Sequence, residues 1–254
     1  MTTISPEEML HPDEASYDDA VDKILEHLPT EVETSIEVPS RCKFYNLLDP
    51  TAPISIRPMT FEDEKIISST TEKDKLVNIL IDRCVSNINI NELLIFDKLY
   101  LLLKIREVSF GKDYNVEDIC GACGYHNEIT FDISNFKLNQ VPEDLEDPRE
   151  VELPTLKKTA KVRFPRVPDE KFLQRTAELM DQIWIFVTEI DGNANKTVIH
   201  KLIEKLPSRD VHVLVHSIFG TDYGINTRAT YSCDNCENAN IADLSFTQDF
   251  FSAS

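Results

Sequence analysis

The chain has 254 residues, 41% of them hydrophobic, and a formal net charge of −19. That is enough chain for one large domain or two smaller ones with a real core. The excess of acid argues against a nucleic-acid binder, because phosphate contacts need clustered Lys and Arg.

No apolar run of about 18 residues occurs, so no membrane-spanning helix is expected. Met1 to Glu8 lacks the basic and apolar regions of a signal peptide. Both features predict synthesis in a reducing cytoplasm, where thiols stay free. Cys84 sits in an apolar helical pattern and reads as a buried free thiol.

Residues 1–40 form an acidic N-terminal arm. Eleven carboxylates, from Glu7 to Glu37, face one base, Lys23. Asp18 to Leu28 has the spacing of a short amphipathic helix, ended by Pro29. The arm reads either as a solvated tail or as a partner-binding segment.

Residues 41–135 make the next unit. Cys42–Asn46 and Ile54–Met59 read as a hairpin, and Thr60 with Asp63 as a capping box opening a helix. A second helix is expected from Lys73 to Val85 and a third from Asn91 to Val108. The third is apolar on nearly all sides, which predicts burial in a core or an assembly. Gly111 ends it and hands the chain to the first Cys-x-x-Cys.

Residues 136–222 read as an inserted block. Glu150–Leu153 and Thr159–Phe164 are expected strands. Lys157, Lys158, Lys161, Arg163 and Arg166 make the clearest basic cluster of the chain. It reads either as a strand face offsetting nearby acid or as a docking face for an acidic partner. Asp169–Ile190 is expected to be one long helix, followed by shorter ones near Lys196–Leu206 and Ser208–Phe219. Residues 223–254 carry the second Cys-x-x-Cys and the C-terminus. The fold class expected from this order is α+β: a mainly helical body, short antiparallel strands and a split four-cysteine, zinc-ribbon-like knuckle pair.

The chemistry-bearing residues are Cys120 and Cys123 in the first pair, and Cys233 and Cys236 in the second. Each pair lies between two strand-like segments, and Gly121 and Gly124 offer backbone freedom for a tight turn. Two chelating pairs of thiolates supply the tetrahedral set that a structural zinc ion takes. Iron is the less favoured ion, since thiolates alone do not select zinc. Two disulfides, or four reduced thiols without metal, are the competing readings. A thioredoxin-type motif would open a helix, whereas Tyr125 to Phe131 alternates like a strand. His126 beside the first pair reads as a surface residue. No Gly-x-Ser-x-Gly, no His-Glu-x-x-His and no phosphate-cradling loop occurs, so no enzyme is expected.

The order of segments resembles the T4-type phage baseplate hub protein family. The residues that carry the likeness are Ile56-Arg57-Pro58-Met59-Thr60 before Glu62-Asp63-Glu64, then Leu80-Ile81-Asp82-Arg83-Cys84-Val85. Asp97 to Gly111 follows, then the first Cys-x-x-Cys, and the second after Tyr223-Gly224-Ile225. The likeness runs from Ile54 to the end. It implies a non-enzymatic structural part of a contractile-tail baseplate hub in the virion, made in the host cytoplasm. The implied partners are other baseplate hub and tail proteins, with no nucleic acid and no membrane. A hub assembly factor absent from the mature virion is the alternative, and a zinc-ribbon adaptor of transcription the third reading.

Overall fold

The fold is described from a computed structural model. The structure describes residues 34–70, 73–173, 180–220, 222–244, 246 and 248–251, together with 21, 23 and 24. Most of the expected arm helix over Asp18–Leu28 therefore lies outside the described residues.

Two small bodies are built on the same plan. In the first, β1 (Thr34–Ile36), β2 (Ile54–Ile56) and β3 (Val85–Ser86) form an antiparallel sheet with β2 in the middle. Between β2 and β3 run α1 (Phe61–Ser69) and α2 (Lys73–Cys84), and α3 (Ile95–Phe110) follows. In the second, β7 (Arg149–Leu153), β8 (Lys158–Val162) and β9 (Val187–Ile190) form an antiparallel sheet with β8 in the middle. It is covered by α4 (Lys196–Ile203) and α5 (Ser208–Phe219), whose Ile199, Ile203, Leu214 and Ile218 are buried against it.

Each middle strand leads into an arginine–aspartate clasp. Arg57 donates to Asp63 at 2.7 and 3.3 Å, and Thr60 N donates to the same carboxylate at 2.8 Å. Arg163 donates to Asp169 at 2.6 and 2.9 Å, and Arg166 N donates to it at 2.8 Å. The arginine N–H bonds the Cys84 carbonyl in the first body and the Phe186 carbonyl in the second. Such charge-assisted bidentate pairs fix the direction in which the chain leaves the sheet.

Two hairpins complete the fold: β4 (Asp113–Ile119) with β5 (His126–Asp132), and β11 (Arg228–Ser232) with β12 (Ala239–Asp243). Between them, β6 (Leu138–Asn139) pairs with β10 (Gly224–Ile225). Gly224 has φ +93°, and a side chain there would meet the Phe96 Cβ at 2.9 Å, so glycine lets β10 lie against α3. The larger core joins both bodies: Phe164, Val167, Phe250 and Phe251 pack with Leu93, Leu94 and Leu101 to Leu103.

The body is not mainly helical. The structure is 36% helix and 26% strand, the strands in several small antiparallel sheets. One source of the difference is the long helix expected over Asp169–Ile190. Its start is a 3₁₀ segment over Val167–Phe172, and its end is β9, paired to β8. Val187 and Ile190 reach the second core from a strand, where burial on one face overrides the helical spacing. A second source is Cys42–Asn46, where turns replace the expected strand, with Arg41 and Cys42 at positive φ. The partner of β2 is instead Thr34–Ile36. The turn is anchored on α3: Ser40 N and the Tyr45 hydroxyl donate to buried Asp97 at 2.9 and 2.8 Å.

The basic cluster is spent within the chain. Lys158 pairs with Asp191, Lys161 with Glu189, Arg163 with Asp169 and Arg166 with Asp147. Four of its five cations thus face the chain's own acid, which is the first of the two readings given to that strand.

Candidate metal centre

The two hairpins meet at their tips through the four cysteines. The four sulfurs all lie within 4.8 Å of one another. Cys120 Sγ to Cys236 Sγ and Cys123 Sγ to Cys233 Sγ are both 3.7 Å, across pairs 116 and 110 residues apart in sequence. A disulfide would bring sulfurs to about 2.05 Å, and all four thiols are free. A zinc tetrahedron with Zn–S bonds of about 2.3 Å has edges of about 3.8 Å. The donor set and its spacing therefore fit a metal ion of that size.

Each knuckle is closed by the same two backbone bonds. Cys120 N donates to Tyr125 O and Gly124 N to Cys120 O, both at 2.9 Å. Cys233 N donates to Asn238 O at 3.0 Å and Glu237 N to Cys233 O at 2.9 Å. The fourth residue after the leading cysteine is left-handed in both, Gly124 at φ +72° and Glu237 at φ +61°. Gly124 thus supplies the freedom expected of it, whereas Gly121 has no left-handed φ and no close neighbour.

The knuckles also prepare the thiolates. N–H groups of Cys123 and Ala122, with the Asn240 amide, draw Cys120 down to about 6. The Tyr125 N–H and the Asn235 amide lower Cys123 in the same way. At Cys236 the Asn238 N–H favours the thiolate, but the Cys123, Cys120 and Cys233 side chains together with burial push it up to about 12. Four thiolates without a cation repel, and a bound divalent cation removes that penalty. Cys120 and Cys233 are buried, Cys123 and Cys236 exposed, so the centre lies at the surface with its inner half covered.

Several supporting residues carry no motif and escape a reading by spacing. Asn127, 2% exposed, accepts from Asp234 N at 3.0 Å and donates to Tyr125 O at 3.1 Å, tying one knuckle to the other. Asn240 and Asn235 direct their amides at Cys120 Sγ and Cys123 Sγ, at 3.5 and 3.7 Å. The Tyr231 hydroxyl donates to Asp118 at 2.7 Å, a second link between the hairpins. The one signal in sequence is Asn127 standing seven residues after Cys120 as Asn240 stands seven after Cys233. His126 begins β5 on the exposed side and is not among the converging ligands.

Together the fold and the site define an α+β protein of several small sheets, whose two hairpins converge on a four-cysteine centre. The chain belongs to the T4 bacteriophage base plate protein family, whose model matches residues 30–252. No curated protein and no solved structure gave a significant match. Membership places the chain among structural parts of a phage tail, in a multi-subunit assembly. No helix among the described residues is long and apolar enough to cross a membrane.

Proposed function

We propose that this chain is a non-enzymatic structural subunit of the baseplate hub of a contractile phage tail, carried in the virion. We further propose that Cys120, Cys123, Cys233 and Cys236 hold one structural zinc ion. The observation that supports the clamp is the convergence of four sulfurs from hairpins more than 100 residues apart. Family membership supports the baseplate role.

Bound there, zinc would supply four strong bonds and offer no open position to water or substrate. The surrounding N–H groups and the Asn235 and Asn240 amides hold the thiolates ready for it. An isolated two-stranded hairpin is marginal in water. The clamp joins two of them into one rigid piece, which suits a part that transmits load between neighbours.

The role is tested by quantitative mass spectrometry of purified virions and isolated baseplates. A fixed, small copy number per particle is expected. Absence from finished particles, with presence in infected-cell lysate, would replace the subunit by an assembly factor that leaves.

A further inference from the structure

The Arg57–Asp63 and Arg163–Asp169 clasps are one device used twice, and among the described residues only the second is bridged by another stretch of backbone. The arginine and backbone bonds match atom for atom, down to the arginine's donation to the carbonyl of the next residue, Pro58 at 2.9 Å and Phe164 at 3.1 Å, and Arg83 adds a further bond to Asp63 at 2.5 Å. The likeness extends along the chain. Phe-Gly-x-Asp-Tyr stands at Phe110–Tyr114 after α3 and again at Phe219–Tyr223 after α5.

The second clasp is filled by the segment that leads into α3. Ile95 N donates to Pro165 O at 3.2 Å and Val167 N to Leu93 O at 2.9 Å, a short antiparallel bridge centred on Leu94 and Arg166. One helical turn on, the Lys98 ammonium donates to both oxygens of Glu170 at 2.6 and 2.7 Å. The cover leaves Val167 7% exposed.

Aligned on the aspartates, Met59, Phe61 and Glu64, four and two before and one after Asp63, stand where Pro165, Val167 and Glu170 stand in the second clasp. Phe61 is 69% exposed. Among the described residues, no backbone bond is made by the Met59 carbonyl or the Phe61 N–H. The acceptor and donor that would hold a strand thus stand two residues apart beside an exposed aromatic ring, over one face of which lies the Lys65 ammonium, 4.6 Å from the ring centre. Arg57 and Arg83 match Asp63, and Arg83 also reaches Glu62 at 3.2 Å, so Glu64 is the rim carboxylate left to a partner's cation among the described residues.

We propose that the Arg57–Asp63 clasp docks an extended apolar segment of another tail protein, one that runs on into a helical turn bearing a lysine. Backbone pairing at Met59 and Phe61 would supply register, as strand addition does elsewhere. The Phe61 ring supplies apolar area, and the lysine pairs with Glu64 as Lys98 pairs with Glu170. This rests on the reading of the chain as a subunit of an assembly.

The probe is a fluorescent synthetic peptide copying Ile88–Lys104, the segment that fills the second clasp. It is titrated with the full chain and followed by anisotropy. Saturable binding is expected, weakened about tenfold or more by Phe61→Ser and by Glu64→Lys. Val198→Ser, at an exposed site on α4, should leave it unchanged. Thermal melting should be the same for Phe61→Ser and the parent, because the ring is exposed. No saturable binding up to about 1 mM, or equal binding by Phe61→Ser, overturns the proposal.

Baseplates made with each variant separate this from the parent reading. Wild-type chain present with Phe61→Ser depleted supports the docking site, and equal incorporation overturns it. Wild-type chain missing from baseplates would refute the subunit role itself.

Discussion

Asn127 and Asp234 are bonded across the two hairpins: the Asn127 side-chain oxygen accepts the Asp234 N–H at 3.0 Å. Asn127 is 2% exposed, and its amide also holds the Tyr125 carbonyl at 3.1 Å. The first hairpin thus fixes the backbone of the second Cys-x-x-Cys directly, in addition to any metal. Replacing Asn127 by Ala leaves the part-buried Asp234 N–H without its partner, at about 1–3 kcal/mol, and takes one of two donors from the Tyr125 carbonyl, which keeps Cys120 N. Urea denaturation should show that loss, and a chelator should strip metal faster from the variant. Unchanged stability with unchanged metal release would mean the bond is incidental.

The two knuckles differ at one equivalent position, Gly124 against Glu237, both left-handed. A non-glycine residue there costs about 1–2 kcal/mol of backbone strain, partly returned as reduced freedom of the unfolded chain. Glu237→Gly should therefore leave stability unchanged or raise it by up to about 1 kcal/mol, and Gly124→Ala should lower it by about 1 kcal/mol. Thermal melts of the metal-loaded variants check both signs. Equal losses at the two positions would contradict the equivalence of the knuckles.

Asp97 gives the fold a pH dependence of unusual sign. Burial raises its carboxyl to about 6, only partly offset by the Ser40 hydroxyl and N–H and by Tyr45, against an ordinary value of 3.8. Between those two pH values the folded chain holds a proton that the unfolded chain has lost. Stability from this group therefore falls as pH rises through that window, and its cost persists above about 6. Asp97→Asn keeps the Ser40 N–H bond and can donate to the Tyr45 oxygen. The variant should gain stability relative to the parent as pH rises from 4 to 7, measured by urea denaturation across the range. A parent-to-variant difference independent of pH would show that Asp97 does not titrate there.

Much of the site was legible in the sequence because its chemistry is local. Cys-x-x-Cys turns are short, and the strands around each pair alternate, so Cys120, Cys123, Cys233 and Cys236 stand out without knowledge of the fold. The helical weight of the body was misjudged where long-range pairing decides. Val187 to Ile190 has helical spacing behind it, yet β8 claims it as a strand. Thr34–Ile36, rather than Cys42–Asn46, pairs with β2 because the intervening turn bonds to Asp97, 57 residues away from Ser40. The repeated plan of the two bodies left a mark in Phe-Gly-x-Asp-Tyr, but its meaning depends on clasps whose partners are visible only in three dimensions.

The clamp itself is most directly tested by elemental analysis of the untagged, full-length chain purified without added metal or chelator. The account predicts one zinc per chain, lost in the Cys120→Ser, Cys233→Ser double variant together with a large fall in melting temperature, since structural zinc contributes on the order of 10 kcal/mol in small zinc domains. No stoichiometric metal in the parent, or a double variant that melts like the parent, would contradict it.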